Sequence, residues 1–179
     1  LQVGLAVNLV VGAAFMVLST NMSLADNMGV SSGFKRARGW PETTQVLLDK
    51  AKAMDVDGII ADERETWHGL DYYTHTLTTR PDLYLWRRFG YPHSFAESTA
   101  AIPAGEDKSF LVAIMHFNQI ARIRGDFSSL APAGKVVIPL GPDRVRELCL
   151  FKATGFNPQE RTSDYEIAYR GKTEPCPAE

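Results

Sequence analysis

The 179 residues are 45% hydrophobic and 22% charged, and 19 Lys and Arg against 21 Asp and Glu leave a net charge of −2. This balance excludes a disordered tail, a collagen-like repeat and a strongly basic nucleic-acid binder, so no nucleic-acid partner is expected. The charge is unevenly spread: residues 1–25 carry none of it, which separates a segment suited to lipid from a segment suited to water.

Leu1 to Leu18 is interrupted only by the polar Gln2 and Asn8. As a helix it would run about 27 Å, close to the roughly 30 Å hydrocarbon core of a bilayer. Residues 1–20 are therefore expected to form a transmembrane helix, the last span of a larger membrane domain. A cleaved signal and a buried soluble helix are the alternatives; the chain begins at Leu1 without the Met and positive n-region of a signal peptide. Gly4, Gly12, Ala13 and Ala14 are small enough for close helix packing in lipid, without forming a GxxxG pair. Lys35, Arg36 and Arg38 follow the span and by the positive-inside rule argue for a cytoplasmic lobe, but long domains cross the membrane regardless of such charges.

Residues 21–37, rich in Ser, Asn and Gly, read as a connector. Gly29-Val30-Ser31-Ser32-Gly33 fits the nucleophile-elbow pattern, yet a connector lacks the strand and helix that an elbow requires. Asn21-Met22-Ser23 fits a glycosylation sequon and is given no role.

Residues 38–171 are expected to fold as an α/β domain with a small mixed sheet and flanking helices. Pro41 and Glu42 suit a first helical turn, and Leu47, Ala51 and Met54 share one face of a helix ending near Asp55. Val56 to Ala61 is a short strand, after which Asp62 and Glu63 open a helix bearing Trp67, Leu70 and Thr74. Leu83 to Trp86 is a further strand, Arg87 to Asp107 is mostly loop, and Phe110 to Met115 has the unbroken apolar run of a central strand. A helix stops at Gly125, Lys135 to Leu140 pairs through Gly141-Pro142-Asp143 with Arg144 to Lys152, and Tyr165, Ile167 and Tyr169 alternate as an edge strand would. Residues 172–179 form a frayed tail.

From Arg38-Gly39-Trp40-Pro41-Glu42 onward, the order of features resembles a known arrangement. A helix, a short strand ending in Ile60-Ala61-Asp62-Glu63-Arg64 and a helix finishing in Tyr72-Tyr73 follow one another. Then come Tyr84-Leu85-Trp86 and a Gly105-Glu106-Asp107 turn into Phe110-Leu111-Val112. This is similar to the C-terminal end of GT-C membrane glycosyltransferases of the dolichyl-phosphate-mannose protein mannosyltransferase-like group, which includes bacterial aminoarabinose transferases. The likeness spans roughly residues 1–156. It departs where relatives place Arg then Tyr after the strand's Asp; Glu63 and Arg64 stand there instead.

The resemblance implies a polytopic transferase moving a sugar from a polyprenyl-phosphate donor to an acceptor, with this lobe on the extracytoplasmic, periplasmic side. Its partners would be the parent's other transmembrane helices, the lipid-linked donor and the bilayer. The group's catalytic acid lies in an early extracytoplasmic loop that no position here matches. No catalytic residue is therefore assigned, the 179 residues alone are expected to be inactive, and a divalent metal would belong to the parent enzyme. Asp62, Glu63, Arg64, Tyr72, Tyr73 and Trp86 are the candidate substrate-binding residues, since ligands gather at strand C-terminal ends and aromatic faces suit sugar rings. The competing reading makes Asp62 and Glu63 helix caps and the aromatics core, and a membrane-anchored α/β binding module without activity is the alternative function.

Other chemistries are weaker. His68 and His75 flank Asp71 without a metal motif, and His93 and His116 stand alone. Arg122, Arg124, Arg144 and Arg146 read as solvated surface. Cys149 and Cys176 are either bonded, in an oxidising compartment, or separate thiols.

Overall fold

A computed structural model describes residues 2–34, 36–142 and 144–177, with the side chains of Ser31, Ser32 and Glu106 excepted. Lys35 of the basic cluster and Asp143 of the predicted hairpin turn lie outside the described residues. The chain divides into two units, Leu1–Gly39 with Pro139–Val145, and Trp40–Ile138 with Arg146–Glu179.

In the first unit, α1 spans Gln2–Thr20 and buries none of its residues. It is long and apolar enough to cross a membrane. At its end, Thr20 Oγ1 and Ser19 Oγ donate to the Met16 carbonyl at 2.8 and 3.0 Å, so the last hydroxyl groups fold back onto the helix backbone. The connector is not structureless: α2, Met22–Asn27, is capped by Asn21, whose Oδ1 accepts from the Leu24 amide at 3.1 Å. The sequon asparagine is thus a helix cap. Ser31–Phe34 is a 3-10 turn with no strand before it, so the nucleophile-elbow geometry is missing. Arg38 organises this unit. Its guanidinium donates to Asp26 Oδ1 and the Leu140 carbonyl, each at 2.8 Å, and to the Met22 carbonyl at 3.1 Å.

The second unit is a mixed α/β sheet with flanking helices. It starts with α3, Trp40–Ala53, β1, Gly58–Ala61, α4, Arg64–Thr74, and β2, Asp82–Leu85. Then follow α5, Phe95–Thr99, β3, Gly105–Ile114, α6, Ile120–Gly125, and the long strands β4, Phe127–Gly141, and β5, Arg144–Phe156. The last element is α7, Ser163–Tyr169. The sheet order is β2-β1-β3-β5-β4. β1 runs parallel to both β2 and β3, while β3 and β5 are antiparallel. Residues 110–114 are all fully buried, as expected of a central strand covered on both faces. Phe110, Val112 and Ile114 join Ile60, Ile120, Ile123 and Phe151 in the main core.

β4 begins well before the expected Lys135 and tolerates Pro132 because it is the outermost strand, where a missing N–H costs no ladder bond. The loop after β2 also holds the short helix α5. The predicted edge strand at residues 165–169 is helical instead. Thr162 Oγ1 caps α7 by accepting from the Tyr165 amide at 3.2 Å, and Asp164 and Glu166 sit at the favourable end of the helix dipole. The alternation of Tyr165, Ile167 and Tyr169 carries no inside-outside meaning there: Tyr165 and Tyr169 stack at 4.6 Å, four residues apart, and Arg122 grips Glu166 with two bonds of 2.9 and 2.8 Å. Arg122 is accordingly buried and paired rather than a solvated surface charge, and Arg146 is buried too.

The tail is anchored where fraying was expected. Cys176 is disulfide-bonded to Cys149 of β5 with Cα atoms 5.6 Å apart, and Glu174 pairs with Arg124 at 3.0 Å. Linking residues 27 apart stabilises the fold by about 3.5 kcal/mol on the chain-entropy estimate. A second tie is the buried Asp126 carboxylate. It accepts from the Trp86 indole N–H at 2.7 Å, the Gln159 amide at 2.9 Å and the Arg161 guanidinium, drawing the end of β2 and the segment before α7 onto the start of β4.

The Gly-Trp start of α3 has a packing reason. Arg146 stacks on the Trp40 ring at 3.5 Å and donates to Thr43 Oγ1 at 3.1 Å, while Gly69 of α4 lies against the same ring so closely that a Cβ would fall 2.2 Å from it. By helix propensity alone, Gly69→Ala would stabilise by about 1 kcal/mol. Overpacking against Trp40 outweighs that gain, so urea unfolding is expected to show Gly69→Ala destabilised by about 1–3 kcal/mol. Equal or higher stability would show that Trp40 yields freely.

Candidate functional site

β1, β2 and β3 run parallel and end on one side of the sheet. From β1 the chain passes through α4 to β2 on one flank, then returns to β3 on the other. The crevice between the carboxyl ends of β1 and β3 is the place where connections diverge and where ligands collect in sheets of this kind. A cleft of about 350 Å³ opens there, lined by Asp62, Glu63 and Arg64 after β1, by Trp86, Arg88 and Phe89 after β2, and by His116, Asn118 and Gln119 after β3. His93, Ser94 and Glu97 at the start of α5 complete it.

Asp62 forms the floor. Its carboxylate has no exposed surface and accepts the amide N–H groups of Met115 and His116, each at 2.8 Å, while its own amide donates to the Ala113 carbonyl at 3.3 Å. The end of β1 is thereby locked to the end of β3. His116 Nδ1 lies 3.4 Å from the same carboxylate, and the imidazole remains 53% exposed in the cleft. Hydrogen bonding to Asp62 raises the His116 pKa above its ordinary 6.5, against the opposing effects of burial and of Arg88; Glu63 adds a smaller upward push.

Glu63 caps α4, its Oε1 accepting from the Glu65 amide at 3.1 Å. Arg64 and Arg88 are exposed at the cleft and form no ion pair among the described residues. The α5 start is a reciprocal cap: Ser94 Oγ accepts from the Glu97 amide at 3.2 Å, and Glu97 Oε2 accepts from the His93 amide at 2.8 Å. That cap fixes the His93 ring between Phe89, at 4.5 Å, and Tyr91, at 4.6 Å.

Of the six residues singled out from the sequence, the fold brings Asp62, Glu63, Arg64 and Trp86 to one cleft. Trp86 is only 2% exposed, and its N–H is taken by Asp126. Tyr72 and Tyr73 are not among the lining residues. They sit in the last turn of α4, about 12 Å of helix beyond Arg64, exposed and packed edge-to-face on one another at 5.0 Å. The sequence reading passed over Arg88, Phe89, Gln119 and the aromatic run after β2. His116 had a signal: it follows the most apolar strand by two residues, at the end where sheet ligands gather.

The described residues contain no group of three His, Cys, Asp or Glu side chains placed to hold a metal ion. Asp71 pairs with Arg80 rather than with His68 or His75, and the Asp62 carboxylate is already committed to two amides and His116. No family model matches the chain, and no curated protein or solved structure matches it either.

A raised His116 pKa stabilises the fold while the ring is protonated. That contribution is fully present below about pH 6.5 and is lost as pH rises through the higher folded-state value. Imidazole proton shifts followed by NMR should give His116 a midpoint above 6.5, and Asp62→Asn should bring it back toward 6.5. A midpoint unaffected by Asp62→Asn would show that the pair does not interact.

Proposed function

We propose that this chain is the last membrane span and the extracytoplasmic C-terminal lobe of a polytopic glycosyltransferase that uses a polyprenyl-phosphate sugar. The observation that carries the reading is α1: nineteen residues, predominantly apolar and none of them buried, in the same chain as an α/β unit closed by a disulfide. A bilayer accounts for the helix. The Cys149–Cys176 bond favours an oxidising compartment and hence the periplasmic side over the cytoplasm, outweighing the basic residues after the span. The order of features from Gly39-Trp40 to Phe110-Leu111-Val112 supports the transferase rather than another anchored protein.

Within this reading the lobe is non-catalytic and shapes or covers the site. The acid that deprotonates the acceptor, and any divalent metal, belong to the preceding membrane portion. The two backbone amides on the Asp62 carboxylate argue against proton transfer by that acid at the cleft floor. That observation equally supports the second reading, a membrane-anchored binding module without activity.

The coding sequence upstream of Leu1 separates the two. The transferase reading expects many further hydrophobic spans and an acidic extracytoplasmic loop after the first; a start codon immediately upstream leaves only the module. In spheroplasts, protease added outside should digest the lobe, whereas full protection would contradict the assigned side. The isolated 179 residues incubated with a polyprenyl-phosphate sugar should give no transfer, and measurable turnover would contradict the division of labour.

A further inference from the structure

The cleft has two features that the transferase reading leaves unused. One is an unsatisfied acceptor. Gln119 lines the cleft, is more than nine-tenths buried, and its Oε1 has no hydrogen-bond partner; only its Nε2 is engaged, with Asn118 Oδ1 at 3.4 Å. A buried acceptor left empty is costly, so it favours a ligand that brings a donor. The other is an aromatic rim. Phe89 remains 42% exposed although it stacks with His93 and with the Arg88 guanidinium, 5.2 Å from its ring centre, and Tyr91 is 66% exposed.

From these we infer that the cleft binds the ring of an uncharged sugar. Hydroxyl groups both donate and accept, matching a cleft bordered by the donors of Arg64, Arg88 and Asn118 and by the acceptors of Glu63, Glu97 and Gln119. A phosphate or carboxylate ligand fits worse. An ionised carboxylate or a phosphodiester offers Gln119 Oε1 no hydrogen, and any anion meets three carboxylates, Asp62, Glu63 and Glu97, as well as the two guanidinium groups and His116. The C–H face of a pyranose is apolar and suits an exposed aromatic edge such as Phe89, while the volume of about 350 Å³ lies in the range of small-molecule sites. The inference rests on the reading above and deepens it: the lobe would hold a sugar unit of the acceptor, away from the lipid-linked phosphate. Its residues differ from those the sequence suggested, with Phe89, Arg88 and Gln119 replacing Tyr72 and Tyr73.

The test uses the full 179-residue chain in phospholipid nanodiscs and saturation-transfer difference NMR with glucose, mannose and N-acetylglucosamine, each alone and with inorganic phosphate. Irradiating the aromatic resonances should saturate the ring C–H protons of at least one sugar, and phosphate should not displace it. Phe89→Ala and Arg88→Ala alter exposed side chains, and each should weaken binding at least about fivefold. Gln119→Met keeps the volume and removes the empty acceptor, so it should weaken binding without lowering the melting temperature, an outcome that a purely structural glutamine would not give. Saturation of none of the sugars, displacement by phosphate, or unchanged affinity in Phe89→Ala and Arg88→Ala would each overturn the inference. Sugar binding in a protein with no upstream spans would preserve the inference and remove the transferase; upstream spans without sugar binding would do the reverse.

Discussion

One helix of this chain is left uncovered by all the other described residues. α1 shows large apolar side chains on every side, with Val3, Leu9, Val10 and Met16 each more than 60% exposed. Leaving such side chains in water instead of burying them costs about 1.5–3 kcal/mol each, so over the helix the penalty is on the order of 10–20 kcal/mol. That exceeds or matches the whole net stability of an ordinary domain, about 5–15 kcal/mol. A hydrocarbon phase would remove the penalty, and the helix ends in polar residues, with the Ser19 and Thr20 hydroxyl groups on helix carbonyls and the Asn21 side chain capping the next helix.

The α/β unit solves a different problem, that of holding three parallel strand ends in register beside an open cleft. β1 has only four residues, too few to fix its own position by ladder bonds alone. The Asp62 carboxylate extends the pairing past the end of β1 by taking two amides from the turn after β3. This makes Asp62 a residue that builds the site rather than one that is offered to a ligand, and it orients His116 toward the cleft. The Asp126 carboxylate does similar work on the other side of Trp86. Two buried acids thus bracket the chain leaving β2, and the aromatic loop that rims the cleft springs from between them.

Much of the fold could be read from residue pattern because those elements are specified locally. The unbroken run from Phe110 to Ile114 admits little besides a buried strand, and Leu47 and Ala51 repeat at helical spacing on a buried face. The failures occur where a local pattern had two solutions. Alternating Tyr165 and Tyr169 suits a strand, and the decision fell to the Thr162 cap and to Arg122, which lies far away in sequence. The tail seemed unconstrained because its anchor, Cys149, is 27 residues earlier. The same reasoning applies to the cleft. Asp62, Glu63 and Arg64 follow a strand and were visible by position, whereas Arg88, Phe89 and Gln119 join them only through the β2-β1-β3 order, which no local signal encodes.

The central claim, that α1 crosses a bilayer, can be measured along the helix itself. Because the native cysteines are bonded to each other, single cysteines introduced from Val3 to Val17 can carry a nitroxide in liposomes, with its accessibility to oxygen and to a water-soluble nickel chelate read by electron paramagnetic resonance. A crossing helix predicts oxygen access greatest and chelate access least near Val10, changing smoothly toward both ends. A 3.6-residue oscillation in the two accessibilities, or chelate access at every position, would mean that the helix lies on the surface or in water and would contradict the account.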